Sequence, residues 1–173
     1  PRLLNGSHTL IAHLGLLNGL EYVRDVMSVP ELVDQVHRHM KAVVPTLDPV
    51  PGIDLEQYQR QLIERFANKA IAHRNIQIAM DCSQKLPQRI FAAAVETLSA
   101  GGDAAAFAHV VAVWMTVVRK RMDCDDPRRD EILAAARNID PADPSASFFA
   151  INGLFPPELV AARAWRDLVN SEL

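Results

Sequence analysis

The stretch AAAFAHVVAVWMTVV, residues 104–118, is the most apolar part of this chain and indicates how the rest is arranged around it. Its side chains are apolar on almost every side of a helix, which is typical of a helix packed among other helices. His109 and Thr116 interrupt the stretch, and it is shorter than the roughly 20 residues that cross a bilayer. It therefore predicts a central core helix, opened by Asp103 as its N-terminal cap.

On both sides of this core helix the chain alternates apolar residues with helical spacing, and Pro, Asp and Gly separate the segments. No segment alternates with period two for long enough to predict a sheet strand, so we expect an all-α, multi-helix domain. Further helices are predicted from about 5–7 to 17, across 21–27, from 30 towards 44, from 55 to 68, across 71–80, from 87 to 98, across 131–138 and from 157 to 168, with a surface loop at 140–147.

Local signals mark several of these helix starts. Ser28 and Glu31 have the spacing of a capping box, and Pro30 suits a first helical turn because its missing N–H is not needed there. Asp54, with Gln57 three residues on, predicts a second cap of the same kind. In the first helix, Gly15 and Gly19 leave room for a close neighbour.

Composition narrows the class of protein. The chain has 173 residues, 49% of them apolar and 23% charged, which is typical of a folded domain with one core. A net charge of -3 gives no positive electrostatic field that would attract nucleic acid. Cys82 and Cys124 form no CxxC, so neither a disulfide framework nor a zinc site is indicated, and a reducing cytoplasm is expected. The start at Pro1 shows no signal-peptide pattern and suggests that a preceding portion is missing.

Two separated motifs carry a family resemblance. The run RLLNGSH at residues 2–8 resembles the signature of the long-chain mannitol dehydrogenase family, in which Lys, four residues, Asn, two residues and His follow one another, and the lysine would lie directly before Pro1. RFAN at 65–68 and QIAMDCSQKLPQR at 77–89 resemble a second segment of the same family, and Val113-Trp114-Met115 extends the likeness.

The resemblance implies an architecture and an activity. Enzymes of this family pair an N-terminal nicotinamide-binding domain with a helical C-terminal domain like that of 6-phosphogluconate-dehydrogenase-like enzymes. Residues 1–173 look like the second alone, since no strand, GxGxxG and helix follow one another here. The implied reaction is NAD-dependent hydride transfer between a secondary alcohol and a ketone of a polyol or sugar acid. The fragment is expected to be inactive alone, to need its own N-terminal Rossmann domain as partner, and to self-associate through uncovered apolar surface.

Residues near the first motif are the predicted catalytic groups. The family assigns the base to the lysine, and Asn5 and His8 can donate hydrogen bonds to the oxygen that becomes alkoxide-like. They are three residues apart and so share one face of a helical turn. The alternatives are that Asn5 is an N-terminal cap and that His8 is an ordinary surface or core histidine.

Substrate contacts are predicted at Lys85, Gln77, Asp81 and Arg74. The position of Lys85 matches the family's substrate-contacting lysine. Asp81 could either orient Lys85 or cap the following helix, and Arg74, like Arg65, could face an acidic substrate or solvent. Gln77 stands where mannitol-specific members tend to carry Arg, so the run from Gln77 resembles the fructuronate reductase, or mannonate oxidoreductase, branch.

The sequence departs from the family pattern at two positions, and it leaves other functional interpretations open. Cys82 replaces the family's usual glycine and Lys69 its usual proline, which bears on local backbone geometry. Cys82 could be a reactive thiol, although no base is evident and a buried inert thiol is favoured. His37 and His39, two residues apart on a helix, are not expected to share a metal ion. Mannitol 2-dehydrogenase is the close alternative function, and a non-catalytic helical binding module is the alternative of another class.

Overall fold

The computed structural model describes residues 2–173, and helices account for their regular structure. The predicted all-α class is confirmed: within these residues there is no β-sheet, only isolated bridges between Tyr22 and Arg74 and between Asp140 and Asp143. The chain divides into two compact units, one ending at Ile78 and the other running from Ala79 to Leu173. Among residues 2–173, no helix combines the length and the apolar character needed to span a membrane.

The first unit contains five α-helices and one short 3-10 turn at Val44–Thr46. The helices are α1 (Arg2–Leu17), α2 (Val23–Val26), α3 (Pro30–Val43), α4 (Leu55–Ala67) and α5 (Asn75–Ile78). Helix α1 is the core of this unit: most of its residues from Gly6 to Gly15 are buried, and it packs against α2, α3 and α5. It begins at Arg2 rather than at 5–7, so Asn5 lies inside the helix and its interpretation as an N-terminal cap is wrong.

Gly15 and Gly19 serve different purposes. A Cβ on Gly15 would lie 2.1 Å from Nδ2 of Asn75, so the bare glycine lets α5 approach α1 as the sequence predicts. Gly19 has nothing within 4 Å of its Cβ position and instead adopts φ +69°, in the turn that follows α1. Such a backbone angle is easy for glycine and costly for other residues.

Two of the predicted helix starts have different outcomes. The Asp54 carboxylate accepts hydrogen bonds from the backbone N–H groups of Glu56 and Gln57, which confirms the cap of α4. The capping box at Ser28 is wrong, because Val29 occupies the cap position of α3 and the Ser28 hydroxyl donates to the Asp25 carbonyl. Proline in the first turn of α3 is confirmed. The helix predicted over 71–80 shrinks to the single turn of α5.

The second unit is built on the apolar stretch identified first. Its helices are α6 (Cys82–Leu86), α7 (Ala92–Ser99), α8 (Ala105–Arg121), α9 (Arg129–Arg137), α10 (Ala146–Phe149), α11 (Pro157–Ala161) and α12 (Arg163–Ser171). Ten residues of α8 are buried, which confirms its central position in this unit, and α12 and α9 pack against it. Asp103 accepts a hydrogen bond from the Ala105 N–H at the start of α8, but Ala104 occupies the cap position, so the predicted cap is misplaced by one residue.

A π-helical turn over Pro87–Phe91 joins α6 to α7. Proline inside a helix removes one backbone donor and clashes with the carbonyl four residues earlier, so the regular ladder cannot continue through it. The chain widens by one residue instead, and the Ala92 N–H donates to the Pro87 carbonyl. The helix therefore begins at Cys82 and passes through Pro87, where the sequence predicts a start.

The C-terminal end differs from its prediction in two places. The single helix expected from Pro157 is interrupted at Ala162, so the chain forms two helices there, α11 and α12. The predicted loop at 140–147 is partly helical, since α10 begins at Ala146. A network of Asp143 with Arg166 and Asn170 ties this segment to α12.

Candidate active site

Asn5 and His8 lie one turn apart near the start of α1, both half-buried. The His8 ring packs against Phe66 of α4, with ring centroids 4.6 Å apart, and meets His73 edge to face at 5.9 Å. Phe66 is itself only 3% exposed, so its ring is held in place and restricts the imidazole that packs on it. The two family motifs therefore meet here, because the RFAN segment supplies the ring that positions the histidine of the first motif.

His73 belongs to the non-helical segment between α4 and α5, and this segment is fixed by backbone hydrogen bonds. The Val23 N–H donates to the His73 carbonyl at 3.0 Å, and the Asn75 N–H donates to the Glu21 carbonyl at 2.9 Å. Asn75 is fully buried, and its Nδ2 donates to the Leu20 carbonyl at 2.9 Å. The segment that carries His73 is thus held on both sides against the turn between α1 and α2.

Arg74 and Gln77, two of the predicted substrate contacts, are exposed in the same unit. Arg74 Nε lies 3.4 Å from Glu21 Oε1, and about half of each side chain is open to solvent. Gln77 stands in the single turn of α5. Arg65 is exposed on α4 next to the buried Phe66. Arg74 therefore already has a neighbouring carboxylate.

Asp81 and Lys85 lie in the second unit, at the two ends of α6. Asp81 adopts the left-handed conformation, φ 57°, and its N–H donates to the Asp125 carbonyl at 2.9 Å. Its side chain makes no capping hydrogen bond, so of the two roles predicted for it the helix cap is wrong. Lys85 is half-buried in the last turn of α6.

Asp126 caps α6 in place of Asp81. Its carboxylate accepts from the Ser83 N–H at 2.7 Å and from the Ser83 hydroxyl at 2.6 Å. The same carboxylate accepts from the Arg128 N–H at the start of α9, the role that its place before Pro127 indicates. Sequence reasoning missed the first role because its partner lies 43 residues earlier and leaves no local pattern.

The substitutions of the usual glycine and proline are accommodated. Cys82 is the first residue of α6, and the left-handed conformation falls on Asp81, so position 82 does not require glycine. Burial raises the pKa of Cys82 to about 12, with Lys85 opposing the effect. The thiol therefore stays protonated, in agreement with the inert interpretation. Lys69 lies in an exposed turn, and its carbonyl accepts a hydrogen bond from the Arg24 guanidinium.

His37 and His39 lie on different faces of α3. His37 is exposed and His39 is buried, as their spacing on a helix requires. Across residues 2–173, no group of three or more His, Cys, Asp or Glu side chains is arranged to hold a metal ion.

Comparison with known sequences identifies the family. The sequence profile described as the mannitol dehydrogenase C-terminal domain matches residues 2–164. The chain belongs to this family. D-mannonate oxidoreductase of Escherichia coli is 36% identical over 165 residues, which are 91% of this chain and 34% of that protein. Mannitol 2-dehydrogenase of Aspergillus oryzae is 36% identical over 143 residues, 79% of this chain and 28% of that protein.

Solved structures agree with this family assignment. The ternary complex of Pseudomonas fluorescens mannitol 2-dehydrogenase with NAD and D-mannitol superposes with a TM-score of 0.90 at 29% identity, over 98% of this chain and 35% of the other. Substrate-free D-sorbitol dehydrogenase, at 22% identity and a TM-score of 0.84, shares the fold. The chain spans about a third of the length of these relatives.

Proposed function

We propose that this chain is the C-terminal, substrate-side domain of an NAD-dependent oxidoreductase that acts on a hexuronate. The reaction interconverts a ketone, fructuronate, and the corresponding secondary alcohol, mannonate. The observation that carries the proposal is the pairing of Asn5 and His8 on one turn of α1, with the His8 ring held by Phe66, in a chain of this family. NAD would supply the hydride acceptor, and the proposal assigns its site to a Rossmann domain outside this chain. The proposal leaves the role of base to the lysine of the family signature.

The chemistry follows from where charge develops. As hydride leaves the carbon and the hydroxyl loses its proton, the oxygen between them becomes alkoxide-like and needs hydrogen-bond donors already aimed at it. The Asn5 amide and the His8 imidazole can both donate. Phe66 restricts the His8 ring, so little reorganisation is needed during the reaction. Lys85, half-buried at the end of α6 in the second unit, stays a proposed substrate contact, because its ammonium could bind a substrate hydroxyl or carboxylate.

The choice of substrate rests on the second motif. Relatives of both activities are 36% identical to this chain, so overall identity does not separate them. The run Gln77 to Met80, which lacks arginine at its first position, favours a hexuronate. Mannitol 2-dehydrogenase is the second candidate, and the TM-score of 0.90 with the Pseudomonas fluorescens enzyme favours it.

The test compares two ketones with the full-length protein that carries this chain. We expect NADH oxidation with fructuronate at a higher kcat/KM than with fructose, and no NADH oxidation by residues 1–173 alone. Removing a preorganised donor costs about 10²- to 10³-fold in kcat, so His8→Leu, which has no donor, should lower the rate by that factor with either substrate. His37→Leu, the same change at an exposed position of α3, is the matched control and should leave both rates unchanged.

Each alternative has its own result. Preference for fructose supports mannitol 2-dehydrogenase and contradicts the hexuronate proposal. Turnover that survives His8→Leu at its full rate contradicts the role of α1. Absence of any NADH oxidation by the full-length protein favours a non-catalytic helical binding module.

A further inference from the structure

His73 stands beside the proposed catalytic histidine and has no assigned role. Its ring centroid is 5.9 Å from that of His8, at an interplanar angle of 70°. His73 is exposed, whereas the Nε2 atom of His8 is buried. Within residues 2–173, the His73 imidazole makes no hydrogen bond to another side chain or to the backbone. An open imidazole therefore lies at the edge of the site with its donors available.

The position of His73 is fixed although its side chain is exposed. Its carbonyl accepts from the Val23 N–H, the next residue forms a bridge with Tyr22, and Asn75 is anchored through the Glu21 and Leu20 carbonyls. An exposed polar group on a pinned backbone loses little conformational freedom when it binds a ligand. This arrangement is typical of a residue that recognises a substrate, whereas a solvated surface histidine needs no such support.

Its separation from His8 matches a distance in the proposed substrate. In fructuronate the carboxylate carbon is four carbon–carbon bonds from the ketone carbon, and bonds of about 1.5 Å give an extended span of about 5 Å. The two rings are 5.9 Å apart. A ketone oxygen that accepts from His8 thus leaves the far end of the molecule within reach of His73. An imidazole N–H can donate to that carboxylate in either protonation state.

We propose that His73 determines specificity for the carboxylate of a hexuronate, at the end of the substrate opposite the ketone bound by Asn5 and His8. The assignment rests on the proposed function and adds a residue to it. Arg74 is the neighbouring cation, but its Nε lies 3.4 Å from Glu21, so part of its charge is already offset. His73 has no such partner in the described part of the chain and, unlike Arg74, touches His8 directly.

Fructuronate and fructose form a matched pair for the test, because they share the ketone and differ at the last carbon, a carboxylate in one and a hydroxymethyl group in the other. The experiment measures KM and kcat of the full-length protein for both, with the variants His73→Leu, which has no donor, and His73→Lys, and the control His37→Leu. Losing a charge-assisted hydrogen bond should raise KM for fructuronate about tenfold in His73→Leu. KM for fructose and both kcat values should stay within about twofold. His73→Lys restores a donor for the carboxylate and should keep KM for fructuronate within about threefold of wild type.

The remaining outcomes separate the possible failures. A role for His73 in packing against His8 alone raises KM or lowers kcat for both ketones together, and this result overturns the specificity assignment. Unchanged kinetics in His73→Leu overturn it as well, and leave the proposed function intact. If wild type reduces fructose but not fructuronate, or reduces neither, the hexuronate proposal fails and the role of His73 fails with it.

Discussion

Adding one methyl group at Gly15 should destabilise the first unit, although alanine is the better helix former. In an exposed helix this change gains about 1 kcal/mol. Here the new Cβ would lie 2.1 Å from Asn75 Nδ2, 2.6 Å from its Cγ and 3.0 Å from Val26 Cγ2. Asn75 is fully buried and bonded to the Leu20 carbonyl, so it cannot move aside without losing that bond. Overpacking costs about 1–3 kcal/mol, and the loss of a buried hydrogen bond costs a similar amount. After the gain in helix propensity, we expect the free energy of unfolding of Gly15→Ala to be about 3 kcal/mol lower than that of wild type.

Urea unfolding followed by far-UV circular dichroism measures this difference. A double-mutant cycle with Asn75→Ala tests its cause, because removing the asparagine side chain removes both the clash and the hydrogen bond. In that background Gly15→Ala should be close to neutral or stabilising. Stabilisation by Gly15→Ala in the wild-type background, or an equal loss in both backgrounds, would refute the close approach of α5 to α1 as the reason for glycine.

Three further predictions concern single side chains. Asp126→Ala removes the carboxylate that caps α6, and should lower the free energy of unfolding by about 2 kcal/mol, whereas Asp130→Ala, at a fully exposed carboxylate, should change it little. Asp54→Ala removes the cap of α4 and should cost about 1 kcal/mol in the same urea assay. Because burial raises the pKa of Cys82 to about 12 and that of Cys124 to about 11, iodoacetamide at pH 8 should label Cys124 slowly and Cys82 only after unfolding. Mass spectrometry showing Cys82 labelled first contradicts this order.

Sequence patterns predicted the helix cap whose hydrogen-bond partners are close neighbours in the sequence. The Asp54 cap could be predicted because its two donors follow within three residues. The same reasoning fails at Ser28, since a neighbouring carbonyl, that of Asp25, competes for the hydroxyl. Asp126 lies beyond such reasoning, because its bonds to Ser83 exist only once the two segments have met.

The candidate site shows the same division. Asn5 and His8 could be proposed as site residues because their spacing is a motif and the family resemblance gave it meaning. Phe66 also lies in a motif, yet its contact with a histidine 58 positions earlier appears only in the folded chain. His73 carries no local signal at all, since an isolated histidine in a polar segment is most often solvated, and only its packing against His8 distinguishes it.

The π-helical turn at Pro87–Phe91 has a consequence for residue numbering across relatives. One additional residue in a helix rotates everything after it by about 100° with respect to everything before it. Lys85 on the N-terminal side and the buried Ala93 and Ala94 on the C-terminal side are therefore out of phase with a regular helix. A homologue that lacks the proline can align without a gap and still present different side chains to its core. An alignment with a homologue that has a regular helix here should place a one-residue gap within 87–91, so that the positions of α7 are assigned to the correct face.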